Sequence, residues 1–382
     1  MKIILNGLLL NKRYSGVESS IENLALSLSR HRKETDETIE FLVPYEWKHS
    51  DIVSENFSTY RLHVKAHIRL LRIIFEQFIL PALVIKRAAD ILHCPAYIAS
   101  LLSPIPVVLS VYDCHVFTCP QFCRITNLLH YRLMLPFSLK KASIIIVPSR
   151  HTMNELTCLF PHTKDICRII PLGISPLFKP IISVQGKQRI LRTYSLPASP
   201  FILTVGRIDR RKNILTLLKA FKLLKKNKGD SFIHKLLIVG PKGDAYKELV
   251  SFIKNAGLEK EVFFTGFIPS ADMPIIYSMA DCFIFLSFHE GFGLPPLEAM
   301  SCGTPVIASN TTAVGEITKE AALQVTPDDL QKAAEAIETV LSQKTLRENL
   351  IARGFTLASK YTWEQNAQLT KQIYHEVKHI KR

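Results

Sequence analysis

Short runs of β-branched and aliphatic residues recur along the first half of the chain, at 2–6, 40–43, 91–94, 107–111, 144–147 and 168–170, with longer amphipathic stretches between them. Such alternation predicts parallel strands joined by helical crossovers. The first crossover predicts a helix from about Val17, with Val17, Ile21, Leu24, Ala25 and Leu28 on one face. After 171–176 (PLGISP) the pattern lapses until about residue 199, a Pro-, Ser- and Gly-containing stretch that reads as a linker. A second series of strand-like runs follows at 201–205, 236–239, 262–264, 282–286 and 305–308, so the chain predicts two α/β halves. From Trp363 onward, Leu369, Ile373, Val377 and Ile380 predict an amphipathic helix that docks on one of them. Residues 61–68 alternate apolar and basic, as in an exposed strand edge, and a nearly all-apolar helix follows to Leu80. The basic edge is either a solvated face or a contact with anionic lipid headgroups.

A length of 382 residues is about twice the usual domain size, in keeping with two cores. The 47% hydrophobic and 21% charged fractions are globular, and no run approaches the ~20 apolar residues of a membrane-spanning helix. The opening residues 1–7 read as a first strand rather than an export signal, which predicts a cytoplasmic protein. Lys and Arg outnumber Asp and Glu by 48 to 33, so polyanions are attracted, whether nucleotide, nucleic acid or an acidic lipid surface. Nucleic acid is disfavoured, since there is neither aromatic-basic interleaving nor a helix-turn-helix pattern. The eight cysteines lack a C-x2-C pair and read as reduced; Cys119 and Cys123, near His115 and His130, fit no common zinc spacing.

The strongest chemical signal is the stretch 289–300 (HEGFGLPPLEAM), directly after an apolar strand. Gly291 and Gly293 let backbone approach a ligand, and Pro295 and Pro296 suit the first helical positions, where free amides receive anions or sugar oxygens. Glu290 falls on the loop and Glu298 is expected in the first helical turn; a carboxylate accepts from two vicinal hydroxyls, so the two acids can bracket one ligand. Arg207 and Lys212 follow the 201–205 strand and precede Asn213, a helix N-cap candidate. Both cations should therefore emerge at the carboxyl end of the sheet, where open α/β sheets bind ligands. Arg210 and Arg211 read as solvated neighbours. Asp113 and His115 close the strand from Val107, and Gly16 opens the first helix beside Tyr14 and Ser15.

The spacing Glu290-x7-Glu298 around Gly-Phe-Gly-Leu-Pro resembles the donor motif of retaining GT-B glycosyltransferases of the glycosyltransferase family 4 type. Further stretches at 204–207, 211–213, 237–240, 265–267 and 301–308 match in the same order. The resemblance implies two Rossmann-like domains facing a cleft: residues 1–180 for the acceptor, 181–360 for the nucleotide sugar, and a helix at 361–382 crossing back to the first. It implies a donor site of Gly16, Gly206, Gly266, Phe267, Gly291, Phe292, Gly293, Leu294 and Glu298. Arg207, Lys212, Glu290, Asp113 and His115 would then carry the chemistry. Ser15 stands where the family has a second glycine, and Tyr112 where it commonly has His, so Asp113 transfers better than His115. Glu316 resembles a further family acid, expected to brace the donor loop.

The sequence contains no Asp-x-Asp pair to hold a metal on a diphosphate, so cationic side chains and helix-terminal amides are expected to do that work without a metal. The expectation is transfer of a hexose, GDP-mannose first and UDP-sugars next, to a glycan or lipid-linked acceptor in surface-polysaccharide or lipopolysaccharide assembly. The protein would work in the cytoplasm or at the inner membrane face, touching anionic lipid but no nucleic acid. A nucleotide-sugar epimerase of the same fold and a non-catalytic basic binding protein remain as alternatives.

Overall fold

A computed structural model describes residues 1–10, 15–30, 37–47, 49, 51–181 and 183–379; Tyr14 and Ile380 lie outside them. The chain divides into two compact units, Met1–Gly173 with Thr362–Arg382, and Ile174–Tyr361.

In the first unit, strands β1 (Lys2–Asn6), β2 (Thr38–Pro44), β3 (Phe57–Leu62), β4 (Ile91–Cys94), β5 (Val107–Ser110), β6 (Ile144–Val147) and β7 (Cys167–Ile169) form one parallel sheet in the order β3-β2-β1-β4-β5-β6-β7. Side chains alternate across a strand, so each face builds its own core. Ile3 and Leu5 join Phe41 and Val43 on one face, while Ile4 packs with Leu42, Leu80 and Leu139 on the other. The helix Gly16–Arg30 buries Ile21, Leu24, Ala25 and Leu28 as its period predicts. Ser15 has a structural reason for departing from glycine: its Oγ accepts from Glu18 N (3.2 Å) and its own N–H donates to Glu18 Oε2 (2.7 Å), a reciprocal capping box. A Cβ on Gly16 would meet nothing within 4 Å, so packing does not demand that glycine.

The helix Trp363–His379 belongs to this first unit, packed on Gly16–Arg30 and β4. It buries Trp363, Ile373, Tyr374 and Val377, each contributing roughly 1.5–3 kcal/mol of hydrophobic stabilisation. Polar contacts fix its register: Tyr374 OH lies 2.8 Å from His93 Nδ1, and Asn366 Nδ2 donates to Pro171 O at 2.6 Å. A Cβ on Gly173 would stand 2.2 Å from Trp363 N, so the chain can pass there only as glycine.

In the second unit, β8 (Phe201–Val205), β9 (Lys235–Val239), β10 (Val262–Gly266), β11 (Cys282–Phe285), β12 (Val306–Ser309) and β13 (Ala322–Val325) form a parallel sheet in the order β10-β9-β8-β11-β12-β13. The order reverses between β8 and β11, so the loops leaving those two strands flank a crevice at their carboxyl ends.

The structure departs from the sequence pattern in several places. Residues 63–68 do not continue the strand edge, because β3 ends at Leu62. The supposed linker contains a helix, Val184–Thr193, whose Ser183 Oγ accepts from Gly186 N at 3.0 Å. Strands β3 and β13 went unpredicted. All eight cysteines are free, as expected.

Candidate active site

The loop after β8 begins at Gly206, whose φ of +149° lies in a region open to glycine. The neighbouring loop after β9 presses on it: a Cβ at Gly240 would stand 2.0 Å from Gly206 O. Next comes a single 3-10 turn, Arg210–Lys212, and then Asn213, the residue preceding helix Ile214–Lys228. Asn213 does not cap that helix with its side chain. It adopts the left-handed conformation (φ +53°), which asparagine tolerates, and its amide donates to Pro327 O at 2.6 Å.

This turn points two cations at Glu290 on the loop after β11. Lys212 Nζ lies 2.6 Å from Glu290 Oε1 and Arg211 Nη1 lies 3.0 Å from Oε2, so the carboxylate is held at both oxygens. The Ser287 hydroxyl donates to Oε1 at 2.5 Å, and Arg211 also donates to His289 O. Burial acts to raise the Glu290 carboxyl, but the Arg211 and Lys212 charges and the hydrogen bonds from Lys212 and Ser287 win, holding it down to about 2. Burial lowers the Lys212 ammonium, against the pull of Glu290. The ammonium also lies 4.9 Å from the centre of the Phe285 ring.

Arg211 is therefore a shielded partner of Glu290 rather than a solvated neighbour, which corrects the sequence reading. Arg210 does turn outward, to Glu248 at 3.3 Å. Arg207 does not join the Glu290 cluster; half-exposed, it pairs with Asp209 on its own loop at 3.2 Å.

Glu298 also departs from expectation. Helix Leu294–Ser301 has no acid in its first turn, because Glu298 is its fifth residue, so the helix dipole gives it little support. Burial pushes its carboxyl up to about 7, only partly opposed by the hydrogen bond from the buried Tyr277 hydroxyl to Oε2 (2.9 Å). Tyr277, absent from the motif, is thus the residue that orients Glu298.

Gly293 is the N-cap of that helix at φ +110°, and a Cβ there would meet Val314 Cγ2 at 3.0 Å. Leu294 is the first helical residue and partly buried, and Gly291 is buried. Phe292 packs edge-on to Tyr361 with ring centres 5.6 Å apart, so its side chain supports the loop from within. Contacts on the loop include Thr312 Oγ1, which accepts from Glu290 N (3.3 Å), and Ala313 N, which donates to Glu290 O (3.4 Å), with Val314 beside Gly293; Glu316, on the same helix, is exposed. Thr312 adopts φ +56°, uncommon for a β-branched residue, and holds its hydroxyl toward the loop at Glu290. At the end of β10, Gly266 has φ +73° with open space beside it, and Phe267 is half-exposed.

In the first unit, Asp113 Oδ1 holds His115 Nδ1 and accepts from His115 N at 3.3 Å. His115 opens the short helix His115–Thr118, and both side chains keep some solvent exposure beyond the carboxyl end of β5. The aspartate thus fixes the ring orientation, leaving Nε2 as the second ring nitrogen.

The Glycosyl transferases group 1 family model matches residues 192–356. O-antigen chain mannosyltransferase B of Escherichia coli is 31% identical over 267 residues, spanning 70% of this chain and 69% of that protein. Among solved structures, sucrose-phosphate synthase from Thermosynechococcus elongatus matches with a TM-score of 0.77 at 22% identity over 99% of both chains. HepE from Anabaena, in complex with UDP and glucose, matches with a TM-score of 0.74 at 18% identity, over 98% of this chain and 100% of that one. At such identities the structures speak for the fold alone, and that fold is GT-B.

Proposed function

Because the chain belongs to the group 1 glycosyltransferases, we propose that it transfers a hexose, mannose first, from a nucleotide sugar with retention of anomeric configuration. The acceptor is a glycan or a lipid-linked saccharide in surface-polysaccharide or lipopolysaccharide assembly, a reading supported by the likeness to the O-antigen mannosyltransferase. The protein works at the inner face of the membrane, as a peripheral enzyme.

The observation that carries the donor reading is the convergence of Arg211 and Lys212 on Glu290 at the β8/β11 reversal. A buried carboxylate between two cations mimics what a diphosphate would present there. When the donor enters, its phosphates replace Glu290 as the partner of Lys212, and the released carboxylate accepts from hydroxyls of the sugar. Arg207 swings from Asp209 toward the same phosphates. As the bond from the anomeric carbon to the diphosphate breaks, negative charge grows on the leaving group, and preplaced cations stabilise it more than they stabilise the bound donor. No metal is required by this scheme. Glu298, set by Tyr277, takes the ribose hydroxyls, and Asp113 with His115 orients the acceptor hydroxyl.

The test is incubation with GDP-mannose and a panel of UDP- and ADP-sugars, in EDTA, with and without a lipid-linked saccharide. Strictly acceptor-dependent release of nucleotide diphosphate supports the proposal. Donor conversion without acceptor marks an epimerase, and no turnover with any donor marks a binding protein; either overturns it.

A further inference from the structure

The first unit carries two helical segments whose outward faces are apolar where a soluble surface would be polar. The first runs through Arg69–Ile74, Phe75–Ile79 and Leu80–Lys86 and exposes Leu70, Ile74, Phe78 and Ile85. On the second, Ile125–Lys141, the residues Ile125, Leu129, Leu133 and Phe137 recur every fourth position and are each more than half exposed. A four-residue spacing keeps side chains on one helix face, so each helix presents a continuous stripe.

The two helices are neighbours in the fold. Arg69 Nη2 donates to Asn127 Oδ1 at 2.5 Å, joining the starts of the helices. The loop between β4 and β5 ties them again. Gln77 Nε2 donates to Ala99 O (2.9 Å), Leu101 N donates to Gln77 Oε1 (2.8 Å), and Ala99 N donates to Ser138 Oγ (3.0 Å). Leu102, next on that loop, is 58% exposed. The π-helical turn Phe75–Ile79 is part of the same junction, its Glu76 carbonyl accepting from Ser100 Oγ at 2.6 Å.

Charge around this surface has one sign. Residues 124–141 contain Arg124, Arg132, Lys140 and Lys141 and no acid. Residues 69–86 contain Arg69, Arg72 and Lys86; their single acid, Glu76, is shielded, 3.9 Å from the equally shielded Arg72 and accepting from Asn6 Nδ2 at 3.1 Å, which leaves Arg69 and Lys86 as the outward charges. Within the basic segment at 61–68, Arg61 and His67 are engaged by the protein itself. Arg61 is turned inward onto Trp47 O (2.6 Å), His49 O (2.8 Å) and Asp51 Oδ1 (2.8 Å), and His67 pairs with Glu46.

We infer that these two helices and Leu102 form an interfacial surface that docks on an anionic lipid bilayer, apolar side chains among the acyl chains and the Lys and Arg side chains at the headgroups. A soluble acidic partner would leave an apolar area of this extent unused, and an interface between copies would bring the basic groups of both together. Among the described residues no helix is long and apolar enough to cross a membrane, so the contact lies in the interface plane. Basic side chains beside inserted apolar ones give the two signals that stable peripheral attachment requires. The inference deepens the lipid-linked acceptor reading, and its test uses no donor, so the two fail separately.

The full chain is to be floated with phosphatidylcholine vesicles, with and without phosphatidylglycerol, at low and high salt. The expected result is capture by the anionic vesicles, weakened at least tenfold by salt or by omission of phosphatidylglycerol. Phe78→Ser with Ile74→Ser, and separately Leu129→Gln with Leu133→Gln, should each reduce capture about tenfold while the melting temperature and nucleotide binding stay unchanged. Two pairs on different helices keep the test alive if one fails to fold. Failure of the wild type to bind anionic vesicles, or undiminished binding by both folded pairs, would overturn the inference. So would a sedimentation dimer that both pairs dissolve.

Discussion

Lys212 Nζ and Glu290 Oε1 stand 2.6 Å apart although their residues are 78 positions apart in sequence, and each is largely shielded from water. Removing one partner of such a pair leaves a buried charge short of compensation. Lys212→Ala should therefore cost about 3 kcal/mol of stability, the lower end for a broken buried pair, since Arg211 still holds Glu290. Pairing Lys212→Met with Glu290→Gln should restore most of that loss without restoring turnover. Denaturant melts alongside donor assays decide the point; a stable Lys212→Ala enzyme would mean the pair is not buried in solution.

The Glu290 carboxyl, held near 2 by its cations, makes an acid-side prediction. Its folded value lies below the unfolded value of 4.5, so its contribution is fully present above 4.5 and fades as pH falls through about 2. At 1.36 kcal/mol per pH unit the whole effect is roughly 3 kcal/mol. The wild type should lose stability between pH 5 and pH 2 more steeply than Glu290→Gln. Parallel slopes for the two would show that Glu290 is not so clamped.

Glu298 runs the other way. Burial lifts its carboxyl to about 7, with Tyr277 only partly opposing, so the folded state holds a proton that the unfolded chain releases near 4.5. Stability should fall as pH rises from about 4.5 to about 7 and then level off. Glu298→Gln removes that loss: it should melt above the wild type near pH 8 and level with it near pH 4.5, while weakening nucleotide binding at both. A variant that binds GDP and UDP as well as the wild type does would take Glu298 out of the donor site.

The sequence pattern located most strands because a parallel strand covered on both faces reads as an unbroken apolar run. Both strands that escaped, β3 and β13, are sheet edges, where one side of the strand meets solvent and the run is broken by Ser58, Thr59 and Arg61 or by Gln324. The helix Val184–Thr193 was hidden for a similar reason: it buries only Ile190 and is mostly polar. At the site, the glycines and Glu290 were legible as a loop because their order along the chain mirrors strand, loop and helix, whereas the depth of Glu298 in the helix was not. Nor was it legible that Arg211 turns inward beside Lys212 while Arg210 does not. A 3-10 turn sends successive side chains in three directions, and only the position of Glu290 on another loop selects two of them. Tyr277 was invisible because its partner, Glu298, lies on the following helix, 21 residues away.

Arg207 and Arg211 separate binding from stability. Arg211 closes on the shielded Glu290 carboxylate, whereas Arg207 is 48% exposed and holds only the loop residue Asp209, a kind of pair worth about 0–1 kcal/mol. Arg211→Ala should therefore lower stability clearly, and Arg207→Ala should leave it nearly unchanged. Turnover should reverse that ranking in one respect: if Arg207 moves onto the donor diphosphate, Arg207→Ala loses about 10²-fold in kcat, as removing one donor to a developing charge does. Because the melting curve of Arg207→Ala stays put, that loss could not be assigned to unfolding. A fully active Arg207→Ala enzyme would leave the diphosphate to Lys212 and Arg211, and would make the Glu290 cluster, rather than the family's first arginine, the source of leaving-group stabilisation.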